Sequence, residues 1–306
     1  MNILVTGGAG FIGSHIVDTY IQAGHTVIVI DNLSRGSLDN LHPKSIFIKA
    51  NITDKLENIF LNYKIDVINH QAAQIDLNHS IKNPIYSAQE NIIGTINLLQ
   101  LAAKYGVKKF IFASSGGAIY SEKNLPSKET DTPQPLSPYG VTKLTGELYL
   151  DCYYEYFGIN YISLRYSNVY GPRQSIIGEG GVISIFIKQA LKGINPIING
   201  DGMQTRDFVY VKDVAEANLL ALSLNSPLKV NISTGKETTL LELFNLVNSF
   251  FDNKFEKKFN PLNIKEQKRS VLNNNLAKEK LNWEPKTSLE VGLRETYEYF
   301  LNLTKR

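Results

Sequence analysis

Short apolar runs alternate with longer segments of helical periodicity along the first half of the chain. The apolar runs predict strands over 3–6, 27–30, 46–48, 67–69, 110–113 and 161–165. Because these runs are almost continuously apolar, helices should cover both faces of each strand. The pattern therefore predicts an α/β fold built on a doubly wound parallel sheet of the Rossmann type.

The regular alternation of predicted strands and helices ends at Tyr170-Gly171-Pro172, and a glycine-rich stretch leads into further predicted helices and strands. Helical periodicity predicts helices over 183–192, 213–224 and 240–251, and an apolar run predicts a strand over 230–233. We therefore expect a dinucleotide-binding domain over 1–170 and a smaller C-terminal α/β lobe over 171–306. Some elements of that lobe are expected to return and pack on the first domain.

The composition is that of an ordinary globular protein, with 43% apolar and 20% charged residues in 306. The formal charge is only +3 and basic residues are interspersed with acids, so no nucleic-acid partner is expected. The one cysteine, Cys152, has no neighbours at metal-ligand spacing, so neither a metal site nor an intramolecular disulfide is expected. Met1 begins directly on a predicted strand and no apolar stretch reaches membrane-spanning length, so a cytoplasmic location without membrane contact is predicted.

A glycine-rich turn follows the first predicted strand and leads into a predicted helix. Gly7, Gly10 and Gly13 satisfy the spacing of a dinucleotide loop, in which a Cβ would keep the backbone from the pyrophosphate. Asp31 ends the second predicted strand, near the position from which an acid binds the adenosine ribose. A carboxylate there repels a 2′-phosphate and favours NAD over NADP, whereas the nearby Arg35 could pair with such a phosphate.

A phenol and an ammonium lie four residues apart in the segment Tyr139-Gly140-Val141-Thr142-Lys143, so a helix would place them on one face. The Lys143 cation, together with the positive nicotinamide beyond it, is expected to lower the pKa of Tyr139 and thereby favour the phenolate as a base. Upstream, the predicted strand over 110–113 leads into Ser114-Ser115-Gly116-Gly117 at the carboxyl edge of the sheet. A serine hydroxyl there could hydrogen-bond a reacting oxygen.

Motifs spread over nearly the whole chain resemble the nucleotide-sugar epimerases of the extended short-chain dehydrogenase/reductase family. They are TGGAGFIGSH, DNLSRG, HQAAQID, NIIGTINLL, ASSGGAIY, SPYGVTK, LRYSNVYGPR, GDGMQTRDFVYVKDVAEA and LNWEPKTSLEVGL. The resemblance implies Ser115, Tyr139 and Lys143 as catalytic residues. It also implies C4 epimerisation of a nucleotide sugar such as UDP-glucose or UDP-galactose. In that reaction Tyr139 takes the proton of the 4-hydroxyl, NAD accepts the C4 hydride, and hydride later returns to the opposite face.

The same resemblance implies the residues that hold the two ligands, NAD and a small-molecule nucleotide sugar. The implied cofactor residues are Gly7, Gly10, Phe11, Ile12, Asp31, Asn32, Ser34, Gly36, Asn51, Ile52, Gln71, Ala72, Ala73, Gln74, Asn91, Tyr139, Lys143 and Tyr166. The implied substrate residues are Ser115, Asn168, Gly181, Val182, Asn199, Arg206, Arg269 and Ser270, with Arg206 on the diphosphate. Two of these have simpler alternatives: Asn91 could pack within its helix, and Arg206 could pair with Asp207 or Asp213.

The chain departs from the family pattern at three positions. Asn51 stands where the family usually has an acid that contacts adenine, Asn199 replaces an aromatic that stacks on the base, and Asn263 replaces a second diphosphate arginine. The resemblance also places a gate for the sugar C2 substituent at Ser270, counted from Asn263. A small residue there predicts that N-acetylated sugars are accepted as well as plain hexoses.

Two other functions compete with epimerisation. A 4,6-dehydratase shares the first step but needs an acid and a base directly after the active-site serine, where this chain has Gly116 and Gly117. A non-catalytic NAD-binding protein on the same fold is disfavoured by the joint presence of Ser115, Tyr139 and Lys143. The resemblance further implies a homodimer formed through predicted helices over 85–104 and 142–156.

Overall fold

The computed structural model describes residues 1–175, 181–261 and 267–305. Seven parallel strands form the central sheet in the order β3-β2-β1-β4-β5-β6-β11. These strands are β1 (Asn2–Thr6), β2 (Thr26–Asp31), β3 (Ile46–Lys49), β4 (Val67–His70), β5 (Lys109–Ser115), β6 (Asn160–Tyr166) and β11 (Leu228–Ile232). The predicted doubly wound parallel sheet is confirmed.

Six shorter strands form three two-stranded sheets beside it. They are β7 (Asn168–Tyr170) with β10 (Phe208–Tyr210), β8 (Ile197–Asn199) with β13 (Lys258–Asn260), and β9 (Thr205–Arg206) with β12 (Thr238–Thr239). The first two pairs are parallel and the third is antiparallel. All three small sheets are formed by residues that follow β6 in the sequence.

Twelve α-helices connect or cover the strands in the described ranges. They are α1 (Phe11–Gln22), α2 (Glu57–Asn62), α3 (Leu77–Lys82), α4 (Pro84–Ala88), α5 (Gly94–Tyr105), α6 (Gly116–Ile119), α7 (Pro138–Phe157), α8 (Val182–Leu191), α9 (Val211–Ala221), α10 (Leu240–Ser249), α11 (Asn275–Leu281) and α12 (Leu289–Thr304). A 3₁₀ turn spans Leu38–Asn40 and a π-helical segment spans Gln89–Ile93. None of the described helices combines the length and apolar character that crossing a membrane requires.

Apolar side chains cover both faces of the sheet, as the continuous apolar strands predict. On one face the buried Ile16 and Tyr20 of α1 pack with strand residues such as Val5 and Val29. On the other face Leu98 of α5 packs with further buried strand side chains. A third core, centred on helices α8, α10 and α12, stabilises the C-terminal lobe. Burial on both faces leaves the carboxyl edge of the sheet as the surface that can receive a ligand.

Two features bear on the expected helices and on the expected return of elements from the C-terminal lobe. The predicted helix over 85–104 is broken into α4, the π-helical segment and α5, because the backbone widens by one residue at Gln89–Ile93. Strand β11, which lies far beyond residue 170, pairs with β6 at the edge of the main sheet. The division into domains at residue 170 stays a prediction, and the chain crosses between the two parts more than once.

Candidate active site

A cleft of about 400 Å³ runs along the carboxyl edge of the central sheet. Of the predicted cofactor residues, all except Asn91 line it. The lining also contains residues that the sequence analysis did not assign to the site: Gly13, Ile30, Ala50, Ile75, His79, Tyr86, Glu90, Ala113, Ser114, Gln174 and Ser175, together with Arg35. Gly181 is the predicted substrate residue that lines the same cleft.

The turn between β1 and α1 leaves space beside the backbone because it is packed too closely for side chains. Gly7 has a φ of 69°, and a Cβ on it would lie 2.7 Å from the Ala72 amide nitrogen. A Cβ on Gly13 would lie 2.2 Å from the Gly7 carbonyl oxygen. The turn therefore points amide groups at the start of α1 into the cleft, as pyrophosphate binding requires.

Asp31 is held in place at the end of β2 by backbone groups. Its carboxylate accepts hydrogen bonds from the Ala9 amide at 3.1 Å and the Leu33 amide at 2.8 Å. Arg35, the residue that could favour a 2′-phosphate, lies 3.3 Å from the Asp76 carboxylate. An acid fixed at this position suits an adenosine ribose, and the ion pair draws the Arg35 guanidinium toward another acid.

Helix α7 brings Tyr139 and Lys143 against the end of β5. The helix begins with a Ser137 cap, whose hydroxyl accepts from the Gly140 amide at 3.1 Å, and Pro138 follows in the first turn. Gly146 lets α7 approach the sheet, because a Cβ there would lie 2.5 Å from the Phe112 ring. The Lys143 ammonium consequently reaches the Ala113 carbonyl oxygen at 2.7 Å.

Burial dominates the electrostatics of this group. It raises the pKa of Tyr139 to about 12, although a hydrogen bond from Ser115 acts in the opposite direction. Burial also lowers the pKa of Lys143 to about 7, so the ammonium carries only part of a positive charge near neutral pH. In the protein alone desolvation of the phenol therefore dominates the pKa of Tyr139, and the lowering expected from Lys143 together with the nicotinamide charge stays a prediction.

Asn91 lies behind the wall of the cleft instead of lining it. Its side-chain oxygen accepts from the Gln74 amide at 2.7 Å, and its Nδ2 donates to the Gln74 carbonyl at 2.9 Å and to the Thr142 hydroxyl at 3.0 Å. The expected contact of Asn91 with the cofactor stays a prediction. Asn91 holds the loop after β4 against helix α7, and so positions Gln74, which does line the cleft.

A buried polar network that the sequence analysis missed fixes Tyr166 and Gln71. Asn218, on helix α9, donates to the Tyr166 hydroxyl at 2.9 Å, and its Oδ1 accepts from Asn69 at 2.9 Å and from Gln71 at 3.3 Å. The Tyr20 hydroxyl accepts from Asn69 at 2.7 Å. The network joins α1, β4, β6 and α9, so an element of the C-terminal lobe supports two residues of the cleft.

Two predicted substrate residues converge on the glycine pair that follows Ser115. A Cβ built on Gly117 would lie 3.7 Å from the Ser270 hydroxyl and 3.9 Å from the Asn168 side-chain oxygen. A Cβ on Gly116 would lie 2.3 Å from a methyl group of Leu272, so no side chain fits there without movement. The predicted substrate residues Asn168 and Ser270 therefore meet at Gly117, two residues after Ser115.

The remaining predicted substrate residues lie farther along the C-terminal lobe. The Arg206 guanidinium donates to the Thr205 carbonyl at 2.8 Å, and Arg269 makes a bidentate pair with Glu237 at 3.0 and 2.6 Å. Val182 begins α8, and Asn199 ends β8 with an exposed side chain. Asn263 lies outside the described residues, so its predicted position is described no further.

The acid next to Arg206 already has several partners. Asp207 is fully buried and accepts from the Thr234 hydroxyl at 2.7 Å and from the backbone amides of Thr234, Gly235 and Leu272 at 2.9 to 3.3 Å. Burial raises its pKa, and these hydrogen bonds act in the opposite direction. Asp207 thereby ties the loop after β11 to the segment that carries Ser270.

The lining also offers polar groups suited to a dinucleotide. The Ser114 hydroxyl and the Gln174 side-chain oxygen are buried and find no hydrogen-bond partner within the described ranges. Both residues line the cleft. Unsatisfied buried polar atoms are costly, so they mark places where a ligand group is accommodated. Together with the glycine turn and Asp31, they fit a nicotinamide dinucleotide.

Comparison with known proteins identifies the class to which this fold and site belong. Residues 3–233 match the model of the NAD dependent epimerase/dehydratase family, and the chain belongs to that family. The family membership expected from the motifs and the predicted cofactor, NAD, are thereby confirmed. The prediction that the chain is an NAD-dependent enzyme of this class is confirmed by the same family match.

Individual relatives resemble the chain over its whole length. A UDP-glucose 4-epimerase structure from Thermotoga maritima with UDP-glucose is 47% identical with a TM-score of 0.97, covering 99% of this chain and 100% of that one. A UDP-N-acetylglucosamine 4-epimerase structure from Methanobrevibacter ruminantium is 36% identical with a TM-score of 0.93, covering 99% and 98%. The UDP-glucose 4-epimerase of Mycolicibacterium smegmatis is 38% identical over 310 residues, with 99% of each chain covered.

Proposed function

We propose that the protein interconverts the C4 epimers of a UDP-hexose, UDP-glucose and UDP-galactose, through a 4-keto sugar. The observation that carries the proposal is the placement of Ser115, Tyr139 and Lys143 together beside a dinucleotide cleft, with only glycines in the two following positions after Ser115. The similarity to UDP-glucose 4-epimerases over the whole chain supports the choice of substrate.

The chain's own groups divide the work as follows. Ser115 hydrogen-bonds Tyr139 and orients the phenol toward the sugar 4-oxygen. Tyr139, as phenolate, holds the proton of that hydroxyl and later returns it. The Lys143 ammonium donates to the Ala113 carbonyl oxygen at 2.7 Å, which fixes its position. In its protonated form, Lys143 stabilises the Tyr139 phenolate. Bound NAD supplies reversible oxidation at C4 and adds a positive charge beside the phenol.

The same site disfavours dehydration. Removal of water from C5 and C6 of the sugar needs an acid and a base, and neither Gly116 nor Gly117 can transfer a proton. At Gly116 the Leu272 side chain also blocks any larger residue. This supports an epimerase over a 4,6-dehydratase.

The test is conversion of UDP-glucose to UDP-galactose by the purified protein, followed by NMR of the sugar. We expect Tyr139→Phe to lose at least about tenfold in rate, and Tyr149→Phe, on the same helix, to keep the wild-type rate. A smaller loss in Tyr139→Phe would contradict the assignment. A product lighter by one water would establish the dehydratase instead.

We also infer that Ser270 sets the size of the sugar that is accepted. Its short side chain lies next to Gly117 and Asn168, where a bulkier residue would occupy the volume that an N-acetyl group at C2 needs. We expect UDP-N-acetylglucosamine and UDP-N-acetylgalactosamine to be interconverted within about tenfold of the plain hexose rate, a barrier difference of roughly 1.4 kcal/mol. Ser270→Tyr should abolish that activity and leave glucose and galactose largely unaffected. Wild-type protein inactive on the acetylated pair would contradict the inference.

We further propose that two copies of the chain associate through α4, the π-helical segment and α7. These elements expose large apolar side chains, including Ile85 at 81%, Ile93 at 53% and Leu148 at 55%. Clusters of this kind on neighbouring helices suit a four-helix interface between copies. Sedimentation should show a dimer for the wild type and a monomer for Ile85→Glu combined with Leu148→Glu. A wild-type monomer at micromolar concentration would refute this.

A further inference from the structure

One end of the cleft is built by the strands that follow the glycine turn. Asp31 ends β2, and residues Ala50, Asn51 and Ile52 follow directly after β3. Tyr139 and Lys143 mark the opposite end, near β5. A dinucleotide whose pyrophosphate lies at the start of α1 therefore places its adenosine half over β2 and β3. Ala50 and Ile52 supply apolar surface there for a flat base.

The polar groups at this end are an amide and a carboxylate side by side. The Asn51 Nδ2 donates to the Glu90 Oε1 at 3.3 Å, and both residues line the cleft. The Asn51 Oδ1 accepts from the Thr53 amide at 3.4 Å, and the Asn51 amide donates to the Asp54 carboxylate at 2.7 Å. These contacts leave a hydrogen-bond donor, Asn51, next to an acceptor, Glu90, on the wall of the adenosine end.

Glu90 reaches this position because of the local helix geometry. It lies in the π-helical segment Gln89–Ile93, in which Glu90 faces Asn51 while the adjacent Asn91 faces Gln74 and Thr142. An inserted residue in a helix re-aims neighbouring side chains in this way, and such insertions often occur at functional sites.

Two contacts fasten the Glu90 segment to the loop that carries Asn51. The Asn97 side chain donates to the Ile52 carbonyl at 2.7 Å and to the Asp54 carbonyl at 3.0 Å. Gly94 packs so closely on Ile52 that a Cβ would lie 2.5 Å from its δ carbon. Glu90 is therefore held against the base-binding wall and does not depend on Asn51 alone for its position.

We propose that Glu90 selects the adenine base of the cofactor by accepting a hydrogen bond from its 6-amino group. Adenine presents that amino donor beside a ring-nitrogen acceptor, which complements a carboxylate beside an amide donor. A hypoxanthine base has an oxygen at position 6, so the Glu90 carboxylate would face another acceptor. Hydrogen bonds to charged groups are strong, and the partly buried Glu90 carboxylate facing another acceptor loses such a bond, so the discrimination is measurable.

The inference rests on the assignment of NAD to the cleft and is independent of the proposed C4 chemistry. The experiment that tests it therefore measures which dinucleotide is bound and does not depend on catalytic turnover. The holoenzyme is incubated with equal, excess concentrations of NAD and nicotinamide hypoxanthine dinucleotide until the bound ratio is constant. The protein is then separated and denatured, and the released dinucleotides are quantified by chromatography.

We expect the wild type to retain NAD over the hypoxanthine analogue by at least about tenfold. Glu90→Gln, whose amide can donate to the 6-oxygen, should bring the ratio to within about threefold of unity, and Glu90→Ala should reduce it as well. Glu57→Gln, on α2 outside the cleft, serves as the matched control and should keep the wild-type ratio. Circular dichroism of each variant confirms the fold.

Two results would overturn the proposal. A wild-type ratio near unity would show that this end of the cleft does not select the 6-amino group. A Glu90→Gln ratio equal to that of the wild type would show that Glu90 is not the selecting group, even if total binding fell. Failure of epimerisation with an intact ratio would count only against the proposed function.

Discussion

The buried network around Asn218 offers a quantitative test of how the two parts of the molecule are held together. Asn218 has no exposed surface, and its side chain makes two hydrogen bonds of 2.9 Å, one to the Tyr166 hydroxyl and one from Asn69. Leucine has the same branching and number of side-chain heavy atoms, so the replacement leaves no cavity, although leucine is bulkier; it removes both bonds and the 3.3 Å bond from Gln71. The variant therefore measures polar contacts with little contribution from a cavity.

The expected cost follows from what remains after the substitution. Asn69 keeps its 2.7 Å bond to Tyr20, and Tyr166 keeps its contacts with Gln71 at 3.3 and 3.5 Å. No network partner is left wholly unsatisfied, so the loss is about three net hydrogen bonds, or roughly 3 kcal/mol in the free energy of unfolding, to which tighter packing of the bulkier leucine adds. Tyr166 and Gln71 also line the cleft, so NAD affinity should fall.

Urea denaturation of the cofactor-free protein, followed by tryptophan fluorescence of Trp283, measures the free energy directly. Tyr20→Phe is the matched control, because it removes a hydroxyl from the far side of the network and should cost about 1 kcal/mol. If Asn218→Leu unfolded within 0.5 kcal/mol of the wild type, roughly the error of such measurements, the network would not hold α9 to the sheet. A loss of stability with unchanged NAD affinity would show that Tyr166 and Gln71 keep their positions in the cleft without the hydrogen bonds from Asn218.

Three further predictions concern acid stability, helix packing and substrate affinity. Burial lowers the pKa of His15 to about 4, so stability is present above its ordinary pKa of 6.5 and is lost as pH falls toward 4. At pH 5 that loss is roughly 2 kcal/mol, so between pH 7.5 and 5 urea titrations should show the wild type losing about 2 kcal/mol more stability than His15→Gln; His70, whose pKa burial also lowers, to about 3, contributes equally in both proteins. Gly146→Ala should lower stability by about 1 to 3 kcal/mol and reduce kcat, because its methyl group would meet the Phe112 ring, whereas Thr145→Ala should change kcat little. Arg206→Ala should raise KM for a UDP-sugar about tenfold or more with kcat nearly unchanged, because a diphosphate contact is equal in ground and transition states; an unchanged KM would remove Arg206 from the substrate site.

The cofactor half of the cleft could be predicted from sequence because each of its signals is local. The glycine turn, the acid at the end of β2 and the Tyr139–Lys143 spacing each lie within one strand, turn or helix, where periodicity and spacing carry geometric meaning. The bounds of the seven central-sheet strands agree with the predicted ones to within about two residues, since buried parallel strands are continuous apolar runs. The direction of the Tyr139 pKa shift in the protein alone could not be predicted in this way. Burial determines that shift, and burial cannot be read from the spacing of two residues.

Contacts between distant parts of the chain set the limit on such prediction. Asn218 meets Asn69 across 149 positions, and no periodicity in either segment indicates that they meet. Glu90 faces Asn51 only because a π turn interrupts a segment whose sequence reads as one continuous helix. The sugar end is assembled in the same way, from Gly117 after β5, Asn168 at β7 and Ser270 near the end of the C-terminal lobe. Only resemblance could bring these three together in advance, and resemblance is silent at the positions where this chain departs from its relatives. Asn51, beside Glu90, is one of those positions, so a physical account of cofactor selection starts there from the contact between the two side chains and the chemistry of the base.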